Sequence, residues 1–358
     1  MIRNEIGSEF WRRPEPRVSS ATVSPDSQFH RYFISGRTAL EHIIADIKVH
    51  NGEFSVALPS YCCYSMIEPF IRNGIRRLKF YDVLVGDEGF ELNTELSNTD
   101  VVFIMDYFGV TSEATTGLVQ QASDQGILTV LDTTQSIFCK STDLEKVDYS
   151  FCSYRKWFYT NAAYANAKNG FISEMPIICD SNYTSARNAA AKAKEAYMSG
   201  ESDSKDYLGI YHSADLALKD DYSGYTPEKT EIDYVLHIDS ERIASARREN
   251  ARRLIKGLSG LANDKFSIVL PQVKDCDAPL FVPIILDESE RNGLRRYLIS
   301  RDIYCPIHWG LTDYHNDLSD RQRNIYHTEL SLICDQRYGF DSIDREIYEI
   351  VRYFREIK

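Results

Sequence analysis

Two residues in this sequence have the types and spacing to do chemistry together: Asp132, at the end of the apolar run LTVLDTTQ, and Lys156, twenty-four positions later in DYSFCSYRKWF. In an open α/β sheet the ligand crevice lies outside the carboxyl ends of the strands, so an acid that closes a strand is placed to meet a ligand. A carboxylate buried there requires a cationic partner. A protonated pyridine nitrogen would supply one, and the ion pair would keep the ring electron-withdrawing during carbanion chemistry. Lys156 is flanked by Tyr154, Trp157 and Phe158. Partial desolvation by these rings lowers the lysine pKa and leaves more neutral amine to attack an aldehyde, and the charge of Arg155 pushes the same way. The plainer alternatives are a strand-end cap for Asp132 and a surface lysine lying over aromatics for Lys156.

A third segment precedes both. In SGRTAL, Ser35–Leu40, a glycine turn opens a helix with Thr38 in its first turn. Free backbone N–H groups and the helix dipole make such a terminus an anion site, although a plain N-cap has the same appearance. A phosphate cradle, then a strand-end acid, then a lysine is the chain order expected of an enzyme that uses pyridoxal 5'-phosphate (PLP) on the aspartate-aminotransferase fold.

The elements that must position these residues follow an α/β rhythm from about residue 30 to 175. Candidate strands are Phe54–Leu58, Leu78–Tyr81, Val101–Met105, Leu128–Asp132, Tyr149–Ser153 and Gly170–Ile172. Helices are expected over Thr38–Val49, Ser65–Asn73 and Glu113–Asp124, the last two closed by Gly74 and Gly126. This alternation predicts a doubly wound, mostly parallel sheet. Residues 184–230 are rich in Ala, Lys, Asp and Ser and read as a polar helix followed by a soft charged connection. Beyond it, a long helix is expected over Ser240–Leu258, a strand over Leu280–Ile285, a helix over Arg291–Arg301, a strand over Leu332–Cys334 and a helix over Ile343–Ile357. The division expected is a large domain over residues 1–230 and a smaller α+β domain over 231–358.

Composition excludes several classes. The formal charge of -12 argues against a nucleic-acid binder, which needs clustered Lys and Arg. The longest apolar-leaning stretch, Phe54 to Ile67, is interrupted by Pro59 and too short to cross a bilayer. The N-terminus lacks the apolar core of a signal peptide, and a cytoplasmic protein is expected. The eight cysteines show no C-x-x-C spacing and read as reduced thiols, and the eight histidines show no ligand spacing, so no metal site is expected.

In these residues the chain resembles the DegT/DnrJ family of PLP-dependent sugar aminotransferases. The likeness rests on SGRTAL, LPSYCC, DYFG at Asp106–Gly109, LDTTQS, SYRKWF, RRENARRL, IYCPIHW and CDQRY, in that order from about residue 33 to the C-terminus. It implies PLP-dependent transferase fold type I. It also implies Lys156 as the Schiff-base lysine and proton shuttle, Asp132 as partner of the pyridine nitrogen, and Gln135 beside the cofactor's phenolic oxygen. Gly36, Arg37 and Thr38 match the phosphate turn, and Ser150 or Ser153 the serine that also holds phosphate. Tyr61, Cys63 and Tyr64 compete for the place against the ring face. Two features depart from the family pattern. YTNAAYANAKNG stands where a glycine-rich stretch follows the lysine, and no Asn-Tyr-Arg-Met segment is matched near Tyr222–Asp239.

Arg155, His308, Trp309 and Arg337 are the remaining candidates for substrate contact, Arg337 through a bidentate fork to a carboxylate or phosphate. Plainer roles are a core-satisfied His308, a packed Trp309 and an Arg337 paired with Asp335 or Asp341. The resemblance implies amino transfer from an amino-acid donor, glutamate, to a nucleotide-linked keto sugar, in a homodimer. A non-sugar keto substrate and a catalytically inactive binding or regulatory relative are the rival readings.

Overall fold

The computed structural model describes residues 3–357 apart from 14–17, 19–26, 87–88, 111, 141–143, 175–180, 221–224 and 263. Its centre is an eight-stranded mixed sheet, in the spatial order His30–Phe33, Ala163–Ala167, Tyr149–Ser153, Leu128–Asp132, Val101–Met105, Ser55–Pro59, Arg77–Gly86 and Gly89–Asn93. The five neighbours from Tyr149–Ser153 to Arg77–Gly86 run parallel, and Ala163–Ala167 and Gly89–Asn93 each pair antiparallel with the strand inside them. Every residue of Val101–Met105 and of Ser55–Pro59 is buried. Strands covered on both faces by helices read as unbroken apolar runs, which is why they were legible. Asp132 closes a central strand, level with Met105 on one side and Phe151 on the other.

Helices Gly36–Asn51, Tyr64–Arg72 and Glu113–Asp124 lie where expected to within two residues. In the large lobe two expectations fail. Gly170–Ile172 is not a strand: Gly170 turns at φ 80° and Ile172 is exposed. The strand is Ala163–Ala167, inserted antiparallel between His30–Phe33 and Tyr149–Ser153. Alanine is a poor strand former, and here pairing on both sides overrides propensity. The connection after the helix Asn182–Ser199 is also not soft throughout. It contains a second helix, Tyr207–Asp220, whose buried Tyr207, Tyr211, Ala214 and Leu218 recur at helical spacing.

The C-terminal lobe has a three-stranded antiparallel sheet, Ser267–Ile268, Val282–Ile285 and Glu329–Leu332. Helices Ser240–Leu258, Glu288–Ile299 and Phe340–Arg352 accompany it. Its last strand ends at Leu332 and does not occupy Leu332–Cys334 as expected. A separate apolar core, including Leu254, Ile284, Leu294 and Leu332, holds this lobe together and takes in Ile6. Ile6–Gly7 also pairs in parallel with Ile303–Tyr304. The start of the chain, expected with the large domain, is therefore tied to the small lobe.

The lobes meet at the DYFG turn. Gly109 has φ 72°, its carbonyl accepts from Ala278 N–H at 2.9 Å, and the Phe108 carbonyl accepts from Leu280 N–H at 2.8 Å. A Cβ on Gly109 would stand 1.9 Å from the Ala278 carbonyl oxygen. Gly109→Ala is expected to lower the urea midpoint by an amount equivalent to more than about 1 kcal/mol. Gly117→Ala, in a helix with nothing within 4 Å of the added carbon, is the control that should not.

Candidate active site

A cavity of about 270 Å³ opens beyond the carboxyl end of Leu128–Asp132. Its lining brings together Gly36, Arg37, Cys63, Tyr64, Asp132, Gln135, Ser153, Arg155, Lys156, His308 and Trp309. It also includes Ser35, Thr134 and Asp215, which sequence reasoning did not single out. Thr134 and Ser35 stood inside quoted motifs, and Asp215 lies on the unexpected helix Tyr207–Asp220.

Asp132 is 1% exposed, and the Thr134 N–H donates to its Oδ1 at 2.8 Å. Burial pushes its carboxyl up to about 6, against the opposing pull of the Thr134 hydrogen bonds and the Lys156 charge. Thr134 also accepts from Ser153 N–H through its hydroxyl at 3.1 Å, and from the Trp157 indole N–H through its carbonyl at 2.8 Å. The strand-end acid and the lysine turn are thus fastened through one residue. That turn, Tyr154–Lys156, is a single 3₁₀ turn anchored by the fully buried Tyr154, Trp157 and Phe158.

Lys156 faces the solvent inside the cavity while protein surrounds it. Desolvation lowers its pKa, and the neighbouring charge of Arg155 lowers it further. Arg155 in turn is paired with Asp215 at 3.3 Å. Glu9, from the N-terminal segment, acts on the lysine in the opposite direction.

The helix beginning at Gly36 points its amino end into the cavity's lining. Ser35 caps it, accepting from Thr38 N–H at 3.1 Å, and the two hydroxyls lie 2.9 Å apart. The first-turn amides at this end have no intrahelical acceptor, and the Gly36 amide opens toward the cavity where an anion could take it. A Cβ on Gly36 would come within 3.1 Å of the Ser153 Cβ, so the helix end and this serine approach closely because residue 36 is glycine. Arg37 donates to the Tyr64 hydroxyl at 3.2 Å.

Gln135 Oε1 accepts from Phe108 N–H at 2.6 Å, and Ser136 donates to Asp106 at 2.8 Å. LDTTQS and DYFG therefore interlock, and the amide nitrogen of Gln135 is the end left for the cavity. His308 is held by Ser331 and Glu329, and burial, then Lys156, lowers its pKa to about 3.

Four expected residues are not part of the lining. Tyr61 is fully buried and packs behind Trp309, ring centroids 5.0 Å apart, which leaves Cys63 and Tyr64 at the wall. Ser150 is buried within its strand, so of the two serines Ser153 is the one at the cavity. The Thr38 hydroxyl is engaged with Ser35. Arg337 makes a fork to Asp335, at 3.0 and 2.8 Å, and lies 3.9 Å from the Phe10 ring centroid, tying the N-terminal segment to the small lobe. Its charge is spent on structure. YTNAAYANAKNG contributes the strand Ala163–Ala167. Seven described cysteines are free thiols, and Cys179 lies outside the described residues. No helix among the described residues is long and apolar enough to cross a membrane.

No family model matches the chain, and no curated protein matches it in sequence. Solved structures do match. The aminotransferase TlmJ from Streptoalloteichus hindustanus superposes with a TM-score of 0.63 at 12% identity, over 90% of this chain and 85% of that one. The putative sugar aminotransferase Spr1654 from Streptococcus pneumoniae, in its PLP form, gives 0.61 at 14% identity over 92% and 91%. PseC of Helicobacter pylori, an aminotransferase of pseudoaminic acid biosynthesis, gives 0.61 at 13% identity over 91% and 86%. The chain has the fold of the PLP-dependent aminotransferases, and the sugar aminotransferases are among the structures that share it.

The raised Asp132 carboxyl has a sign that stability can report. A group whose folded pKa lies above its unfolded value stabilises the fold when protonated, and that contribution is lost as pH rises from about 4 through 6. In the protein without ligand, Asp132→Asn should gain on the wild type across that window, by an amount of order 3 kcal/mol. The check is the difference in urea unfolding free energy at pH 4 and pH 7. An unchanged difference would show that Asp132 ionises normally.

Proposed function

We propose that this chain is a PLP-dependent aminotransferase that transfers an amino group from an amino acid, glutamate, to a nucleotide-linked keto sugar. The observation that carries this reading is the meeting of Asp132 and Lys156 at one cavity. A buried carboxylate whose pKa burial raises is suited to a cationic ring nitrogen, and a lysine whose pKa is lowered is suited to an aldehyde. The rest of the lining fits the same group. Its phosphate would take the first-turn amides of Gly36 and Arg37 with Ser35 and Ser153, and its phenolic oxygen the Gln135 amide. Cys63 or Tyr64 would meet the ring face.

When bound, PLP supplies an electron sink for the bond broken at the amino-bearing carbon. The chain's residues do the remainder. Asp132 would hold positive charge on the ring nitrogen. Lys156 would hold the cofactor's aldehyde carbon and, as a neutral amine, would carry the proton to and from the amino-bearing carbon. Arg155 keeps enough of the lysine neutral to act as a base, and Asp215 steadies Arg155.

The fold likeness to sugar aminotransferases supports a sugar acceptor by analogy, and with it a role in surface polysaccharide or glycosylated-metabolite synthesis, as a cytoplasmic homodimer. The proposed division is a PLP-binding large domain over residues 1–230 and a small domain over 231–358, and the separate core around Leu254, Ile284 and Leu332 supports a distinct C-terminal lobe.

Purified protein with PLP is expected to absorb at roughly 410–430 nm, with the band abolished in Lys156→Ala. No band at saturating PLP would overturn the reading. Asp132→Asn should retain the band while kcat for amino transfer falls on the order of 10²-fold or more, measured with glutamate and a panel of keto sugars.

A further inference from the structure

Behind the cavity wall lies a chain of polar groups that the proposed mechanism does not use. Glu329 opens the strand Glu329–Leu332 and is fully buried, as is Ser331 two residues on. The Ser331 Oγ lies 2.5 Å from Glu329 Oε1 and 2.9 Å from His308 Nδ1. The His308 N–H donates to the other carboxyl oxygen, Oε2, at 2.7 Å. His308 itself lines the cavity beside Lys156 and Trp309. With Nδ1 engaged by Ser331, Nε2 is the nitrogen left for the cavity.

We propose that Glu329, acting through the Ser331 hydroxyl, sets which nitrogen of His308 carries the proton and so whether His308 presents a donor or an acceptor to the substrate. The logic follows from hydroxyl geometry: a serine in a two-ended relay donates to one neighbour and accepts from the other. When Glu329 is ionised, Ser331 donates to it and accepts from Nδ1–H, and Nε2 faces the cavity as an acceptor. When Glu329 holds a proton, the carboxyl donates to Ser331, Ser331 donates to Nδ1, and Nε2–H faces the cavity as a donor. No net charge reaches the imidazole in either state.

The surroundings favour such a two-state relay. Burial pushes Glu329 up to about 8, and His308 remains neutral across the range in which Glu329 titrates. The groups that face Glu329 are His308 and Ser331, Tyr61 from the LPSYCC segment, and Arg291 from the helix Glu288–Ile299. Arg291 donates to the main-chain carbonyls of Tyr326 and Glu329, at 3.4 and 3.2 Å. Lys156 is the cation that acts on His308. Glu329 and Ser331 are positioning residues in this scheme, since neither lines the cavity.

The inference rests on the proposed amino transfer only for what His308 meets in the cavity. Its test uses the full chain without PLP. Nitrogen-15 NMR of imidazole-labelled protein distinguishes the two neutral tautomers, and His308→Gln assigns the resonance by its loss. The expected result is one dominant tautomer, Nε2–H, that gives way to Nδ1–H as pH is raised through the titration of Glu329. Glu329→Gln, whose amide can donate to Ser331, should hold the Nε2–H form at every pH. Ser331→Ala should uncouple the ring, and Ser331→Thr, which restores the hydroxyl, should restore the switch. A tautomer that does not change with pH, or that changes equally in Ser331→Ala, overturns the proposal. A tautomer switch in a protein that shows no PLP band would sink the transaminase reading and leave the relay standing, and the converse pair of results would do the reverse.

Discussion

A buried guanidinium holds the lysine turn in place. Arg247, on the helix Ser240–Leu258, is 1% exposed and lies 4.6 Å from the Trp157 ring centroid. It donates to the carbonyls of Pro279 and Leu280, at 3.2 and 2.9 Å, and to Gln336 at 2.7 Å. Gln336 donates in turn to the Trp157 carbonyl. A charge taken out of water is costly unless hydrogen bonds replace those it loses. The Nε and Nη1 donors of Arg247 find their acceptors by bringing together the residue after Lys156, the CDQRY segment and the strip that docks on the DYFG turn, while Nη2 has no hydrogen-bond partner among the described residues. Three segments distant in sequence are thereby fixed relative to one another, and the cavity lies among them.

That constraint gives each of the loose motifs a structural task. RRENARRL supplies Arg247, CDQRY supplies Gln336 and the Asp335–Arg337 pair, DYFG supplies the Phe108 amide that orients Gln135, and LDTTQS supplies both Asp132 and its fastening to the lysine turn through Thr134. Most of these residues touch other motifs and not the cavity. They hold the few groups that line the cavity at fixed separations, the arrangement that electrostatic preorganisation requires.

The sequence was informative where local chemistry and burial agree. Parallel strands buried on both faces appear as apolar runs, so the sheet and the strand-end position of Asp132 were readable. Lys156 was readable because aromatic neighbours in sequence are also its neighbours in space. Ala163–Ala167 was not, because its strand character comes from two partners and not from its own side chains. Arg337 stayed open between two roles for a related reason. An arginine beside an acid two positions away has the same sequence signature whether its fork is offered to a ligand or closed on Asp335, and only the packing of Phe10 against it decides. The choice between Ser150 and Ser153 turned on strand register relative to Gly36, which no single segment encodes.

The departure after Lys156 has a physical consequence of the same kind. Where the resembling family carries glycines, this chain carries AYANA, and the segment is a strand whose Tyr164 hydroxyl lies 3.0 Å from that of Thr133, next to Asp132. A glycine-rich loop admits another backbone to the site, whereas a strand paired on both edges fills its own hydrogen bonds and admits none along them. The strand's edges are therefore taken up by its two neighbours in the sheet, and none of its residues lines the cavity. Two other elements act at this site: the helix that carries Asp215 lines the cavity, and Glu9 of the N-terminal segment lies within the electrostatic reach of Lys156, Arg155 and Arg187. Both lie in parts of the sequence outside the motifs that carry the resemblance, so the cavity's surroundings are built partly from segments that those motifs do not reach.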